Sequence, residues 1–200
     1  MEDGAARPDR ARSALDSIGE RLRSFRQARG IGVRELARRV DITPSMLSQI
    51  ERGSTNPSVG TLFRLAAALE TTTDSFFESV DDPTPHRGPV VRRKHRSCLQ
   101  LSGGIVWQRL TPTDEHDFEF METVYPPGAV SSAEMLRHPG RDYGVLLEGI
   151  LDVTVGFTKY QLHPGDSIAF DASVPHQLSN PGPDPARTIW VVLDRHTVPP

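Results

Sequence analysis

The sequence predicts a two-domain α+β chain, with a helical bundle in front and an all-β sandwich or barrel behind. Three observations carry this. The hydrophobic period is helical from Ser17 to Phe77 and changes to two after residue 90. Between them, Asp81 to Pro89 contains no apolar residue able to join a core. The charge divides at the same place: nine arginines face four acids between Ser17 and Arg64, a balance of +5, whereas eleven bases face fifteen acids from Asp81 onward, a balance of −4. At 200 residues and 36% hydrophobic, the chain can build a core, which excludes a wholly disordered protein. The boundaries expected are a disordered arm over 1–15, a helical domain over 16–79, a linker over 80–94 and a β domain over 95–198, with the linker marking two separate modules.

The helices follow in order. Ile18, Leu22 and Phe25 lie at i, i+4, i+7, and Arg29-Gly30 closes this first helix. Val33, Leu36, Ala37 and Val40 make the second, which ends at a tight turn over Asp41-Ile42. Thr43-Pro44 reads as an N-cap followed by proline at the first helical position, and Gly53 ends that third helix. Leu62, Leu65, Ala66 and Leu69 carry the fourth, and Asp74–Phe77 suits a last turn. In the second half, strands are expected at Ile105–Leu110, Phe118–Tyr125, Val145–Leu147, Ile150–Phe157, Ser167–Phe170 and Thr188–Leu193, parted by turns such as Glu148-Gly149 and Pro164-Gly165-Asp166. The basic run Arg92–Arg96 reads as a strand edge, with DNA phosphates as the other use.

A lone cysteine, Cys98, excludes an internal disulfide and a cysteine-based zinc site and fits a reducing compartment. No apolar stretch is long enough for a membrane helix, and Met1 to Ser13 lacks the apolar core of a secretory signal. A cytoplasmic protein with no membrane partner is expected.

Helices two and three match a helix-turn-helix in length and spacing. If Leu36, Ala37, Val40, Leu47 and Ile50 pack them together, then Thr43, Ser45, Ser48, Gln49 and Arg52 are left on the outer face of the third helix. Short hydroxyls and an amide near a helix N-terminus suit the major groove, where Gln can bond an adenine edge. Arg34, Arg38, Arg39 and Arg52 are placed for phosphates. The whole stretch 17–77, with "SQIERG" and "NPSVGTL", resembles the phage-repressor/Cro (XRE) type of helix-turn-helix. In that family the positions of Pro44, Ser45 and Gln49 face bases. Pro44 has no side-chain hydrogen bond to offer, so the resemblance makes Ser45 and Gln49 the base readers.

The segment His138 to Gly182 resembles a small cupin, which implies an all-β cupin barrel behind the all-α helix-turn-helix bundle. Leu136 stands where the first motif's leading histidine is usual, while His138, Asp142 and Gly149 hold the remaining positions. Gly165-Asp166, Pro175, His176 and Asn180 fit the second motif. The usual three-His-one-Glu set is thereby reduced to His138, Asp142 and His176. Two readings stay open. Two imidazoles and a carboxylate can form a facial triad for a divalent metal such as Fe, Zn, Ni or Mn, or they can hydrogen-bond an effector directly, with Tyr125 and Gln177 beside them. The aromatic residues of this half, Trp107, Phe120, Tyr125, Tyr143, Phe170 and Trp190, are expected mostly in the core.

The resemblance implies a one-component transcriptional regulator and not an enzyme: a homodimer that binds a double-stranded operator through its helices and a small-molecule effector through its β domain. The alternative is a metal-dependent cupin oxygenase or epoxidase with a vestigial helix-turn-helix, since one iron-dependent epoxidase type shares this order of domains. A relic would have lost its exposed polar readers, and Ser45, Gln49 and the surrounding arginines are present.

Overall fold

The computed structural model describes residues 7–77, 89–112, 115 and 118–193. Four α-helices come first: α1 (Arg7–Ala28), α2 (Val33–Arg39), α3 (Pro44–Glu51) and α4 (Val59–Ala68), with a 3-10 turn at Asp74–Phe76. Nine strands follow among the described residues: β1 (Cys98–Gln100), β2 (Val106–Arg109), β3 (Glu119–Tyr125), β4 (Arg141–Glu148), β5 (Leu151–Val155), β6 (Thr158–Leu162), β7 (Ser167–Asp171), β8 (His176–Ser179) and β9 (Ala186–Leu193). None of the described helices is long and apolar enough to cross a membrane.

The first helix begins at Arg7, so the expected arm over 1–15 is helical from its seventh residue. Apolar periodicity is blind to this turn, but Pro8 sits where a missing N–H costs nothing, and Arg, Ala and Leu are strong helix formers. The predicted cap at Thr43 is in place, and Ser58 caps α4 in the same way. Thr43 accepts a bond from the Met46 N–H at 3.1 Å, and Ser58 accepts one from Thr61 at 3.0 Å. Asp41 makes the tight turn in the left-handed region at φ 54°.

The strands form two antiparallel sheets, one ordered β1-β2-β3-β9-β4-β7 and one ordered β6-β5-β8. This is an antiparallel β-sandwich. No closed barrel is present among the described residues, which corrects the expected barrel. The long connection from β3 to β4 passes β8 with only two isolated bridges, Val130 to Ser179 and Leu136 to His176. Pro126, Pro127 and Pro139 in that connection lack the N–H groups a continuous ladder needs. The basic run Arg92–Arg96 is no strand edge either: Arg93–His95 is a 3-10 turn, and Arg96 reaches Glu122 at 2.9 Å. Residues 80–88 of the expected linker lie outside the described residues, as do 78 and 79 before them.

The two modules share one core. Leu22, Leu36, Leu47, Leu62, Leu65 and Phe76 of the helices join Leu99, Leu101, Trp107 and Leu136 of the strands in a single buried cluster. Polar ties cross the same boundary. Arg109 of β2 pairs with Asp74 at 3.0 Å, both side chains buried, and the Thr73 hydroxyl donates to Glu119 of β3. The boundary between the modules is thus packed and polar-tied, with the linker joining two units in contact.

Candidate functional sites

The first candidate is the outer face of α3. Inside the helix-turn-helix, Leu36, Ala37, Val40, Leu47 and Ile50 are buried as their spacing predicts. The far end of α3 is clamped to α1 by a bidentate ion pair. Arg26 donates to Glu51 through Nε at 2.5 Å and a terminal nitrogen at 2.9 Å, and its other terminal nitrogen bonds the Ile31 carbonyl at 3.0 Å. Gly19 allows this approach, because a Cβ there would sit 2.5 Å from the Ile50 carbonyl oxygen. With its inner face fixed, α3 exposes Pro44, Ser45 and Gln49, the N-capping Thr43 and the C-terminal Arg52, and leaves Ser48 half-buried. Arg34 and Arg38 on α2 are exposed beside them. Arg38 and Arg39 share Glu35, each at 2.8 Å, and this pair of exposed arginines holds the Glu35 carboxyl down at about 2.

The second candidate lies between the two sheets. His138 precedes β4, Asp142 is on β4 and His176 opens β8. One ligand atom from each can be chosen so that all three lie within 4.8 Å of one another. Asp142 Oδ2 stands 3.5 Å from His138 Nε2 and 3.8 Å from His176 Nε2. Each imidazole is aimed by its other nitrogen. His138 Nδ1 faces the Pro139 carbonyl at 3.2 Å and His176 Nδ1 the Val174 carbonyl at 3.0 Å. A carbonyl only accepts, so Nδ1 carries the proton in both rings, which leaves each Nε2 toward Asp142. The remaining carboxylate oxygen, Asp142 Oδ1, is buried with no hydrogen-bond partner.

The two histidines titrate apart. Burial disfavours charge on His138, yet the hydrogen bond and field of Asp142 outweigh it and raise this imidazole. Burial lowers His176, and the neighbouring His138 lowers it further against the opposing pull of the Val174 carbonyl and Asp142.

The cavity around the triad measures about 40 Å³. Its walls are Trp107, Met121, Thr123, Tyr125, Leu178, Trp190 and Val192 from the strands, together with Leu136. Leu136 therefore fills with apolar bulk the place where a further histidine would stand. Tyr125 is at the cavity as expected. Gln177 is not. Side chains alternate along β8, so His176 and Leu178 face inward while Gln177 turns away and donates to the Ser132 carbonyl at 2.8 Å. Asn180 also serves the frame, donating to the carbonyls of Tyr125 and Asp184 at 2.8 Å each.

Of the cavity residues that escaped sequence reasoning, Val59 and Phe63 of α4 come from the helical module. A signal existed. The helix reads VGTLFRLAAA, apolar on more than one face, as a helix buried on two sides must be.

The architecture is that of a helix-turn-helix joined to a cupin. Family models agree, with a helix-turn-helix model matching residues 22–76 and a cupin-domain model matching residues 121–192. The HTH-type transcriptional regulator PuuR of Escherichia coli (strain K12) is 27% identical over 164 residues, covering 81% of this chain and 86% of that protein. The uncharacterized HTH-type transcriptional regulator RP497 of Rickettsia prowazekii (strain Madrid E) is 31% identical over 102 residues, covering 50% of this chain and 76% of that one. A crystal structure of an HTH_3 family transcriptional regulator from Vibrio cholerae shares the fold at a TM-score of 0.64 and 23% identity, over 90% of this chain and 96% of that one. The chain belongs to the HTH-type transcriptional regulators.

Proposed function

We propose that the chain is a one-component, homodimeric regulator of the bacterial cytoplasm, in which α3 reads an operator and the cupin cavity binds a small polar effector. The observation that carries the reading is the outer face of α3, whose polar side chains stay exposed while its inner face is clamped through Glu51. Ser45 and Gln49 are the base readers, and Arg34, Arg38 and Arg52 take phosphates, with Thr43, Pro44 and Ser48 setting the helix entry. One such module buries too little DNA for operator affinity, which favours a dimer on two half-sites. Capture of genomic fragments by the purified protein tests this. An enriched inverted repeat is expected, and recovery of random DNA alone would end the reading. On the recovered site, Gln49→Ala should cost about 1–3 kcal/mol and relax one base position, whereas Arg52→Ala should weaken all sequences alike.

The triad also fits a divalent metal. Two Nε2 atoms and an Asp142 oxygen are convergent, and the buried, partnerless Oδ1 suits a cation. When bound, such an ion would supply a Lewis-acidic anchor for an anionic group of the effector. His138, His176 and Asp142 would hold it, and the apolar walls would exclude water around them. Imidazolium cannot ligate, so acid should expel the metal, and the raised His138 should be the first to protonate as pH falls. Elemental analysis of protein purified without chelator is expected to find a weakly held, substoichiometric metal. One tightly held iron per chain, with oxygen consumption on adding a substrate, would favour the enzyme alternative instead.

A further inference from the structure

We propose that the DNA-binding module supplies the lid of the effector cavity, and that Phe63 is the positioning residue that couples occupancy of the triad to the docking of α4. The inference rests on the effector reading above and adds its route to the DNA.

Residues of α4 divide between two sides. Leu62, Leu65 and Leu69 are buried in the helical bundle. Val59 and Phe63, one turn apart, line the cavity. The Phe63 ring lies flat on the His138 imidazole, with centroids 4.3 Å apart and planes within 3°. It therefore fixes the ring plane that aims Nε2 at Asp142, just as the Pro139 carbonyl fixes the flip of that ring. The seat of α4 is equally tight. Its first N–H, from Val59, donates to the Ser131 carbonyl at 3.0 Å, and the Pro57 carbonyl just before it accepts from the Ser102 N–H at 2.9 Å. At Gly60 even a Cβ would stand 2.5 Å from Leu136 Cδ2 and 2.6 Å from Ser132 Oγ. A helix this closely seated cannot shift by a small amount without losing several contacts together.

The cavity size decides what the lid does. About 40 Å³ accommodates an ion with a few waters, given that one water needs roughly 10–15 Å³ on the same measure. A divalent cation then fits beneath the docked helix, and its ligand His138 is held in place by Phe63. Coupling of this kind is reciprocal. If the docked α4 preorganises His138 for the cation, the cation must in turn hold α4, and with it the helix-turn-helix, against the cupin.

The test uses the full-length protein with Co²⁺ as the probe, read by its d–d absorption and by hydrogen exchange of residues 57–68. Wild type is expected to bind Co²⁺ and to slow exchange in that segment. Phe63→Ala should raise the Co²⁺ dissociation constant by about tenfold and abolish the slowing. Phe63→Leu keeps apolar bulk without a ring plane and should behave alike, which guards against a folding defect, while Phe63→Tyr should restore both readouts. Wild-type behaviour in Phe63→Ala and Phe63→Leu would overturn the lid and leave the effector reading standing. Failure of wild type to bind Co²⁺, or binding indifferent to His176→Ala, would overturn the metal-coupled lid, whereas the operator reading falls only if genomic capture recovers random DNA.

Discussion

Glu51→Ala is expected to cost on the order of 1–3 kcal/mol of folding stability, because it leaves the Arg26 guanidinium without its charged partner in a half-buried site. In the native protein the Arg26 side chain is 11% exposed and the Glu51 side chain 8%. The alanine leaves Arg26 with the Ile31 carbonyl, a single neutral acceptor for a full charge. Set against the roughly 5–15 kcal/mol that holds a typical domain together, the loss is large. It falls where the recognition helix ends, so operator affinity should drop with it. Glu51→Gln retains the shape and part of the bonding and should lose less. Urea unfolding followed by far-ultraviolet circular dichroism measures both variants, and a change below about 1 kcal/mol for the alanine would show that the clamp is not what holds α3.

Glu119→Gln is expected to stabilise the protein at pH 8 and to leave it nearly unchanged at pH 4.5. Burial pushes the Glu119 carboxyl up to about 7, reinforced by Asp74 and Asp142 and opposed by the Thr73 hydroxyl and His138. Its Oε2 is buried without a hydrogen-bond partner. A carboxyl raised in the folded state keeps its proton there while the unfolded chain releases its own near 4.5. The folded state then binds more protons than the unfolded one, so stability falls as pH rises from about 4.5 to 7 and stays low above that. Glutamine does not titrate and keeps an oxygen for Thr73. The gain at pH 8 should be on the order of 2–3 kcal/mol. Unfolding midpoints of both proteins across that range give the answer, and parallel pH profiles would mean Glu119 is ionised in the fold like any surface acid.

Local patterns made much of this molecule legible. The helix-turn-helix could be read because its Thr43-Pro44 cap and its apolar spacing lie within some thirty residues. His138, Asp142 and His176 could be read because cupin motifs fix them at short intervals, although only the fold shows that Asp142 stands between the two imidazoles. What stayed hidden needed partners far along the chain. The strands β1, β6 and β8 are short or polar, and their pairing decides them more than their sequence does. Gln177 was misplaced by adjacency, since the neighbour of an inward residue on a strand points outward. Phe63 was missed because its partner is 75 positions away, in the other module, and no periodicity within α4 can name His138.

The core that runs unbroken from Leu22 to Trp190 has a consequence for genetics. Because buried side chains of both modules belong to one cluster, the two are expected to melt as one cooperative unit. A screen for mutants that no longer control their promoter should therefore collect substitutions at Leu101, Ile105 or Trp107 as readily as at α3, though none of them is near the bases. Such alleles would behave as protein-abundance defects, recessive and suppressible by overexpression. In the proposed homodimer, substitutions at the proposed readers Ser45 or Gln49 would leave a folded partner to poison mixed dimers, and would be dominant.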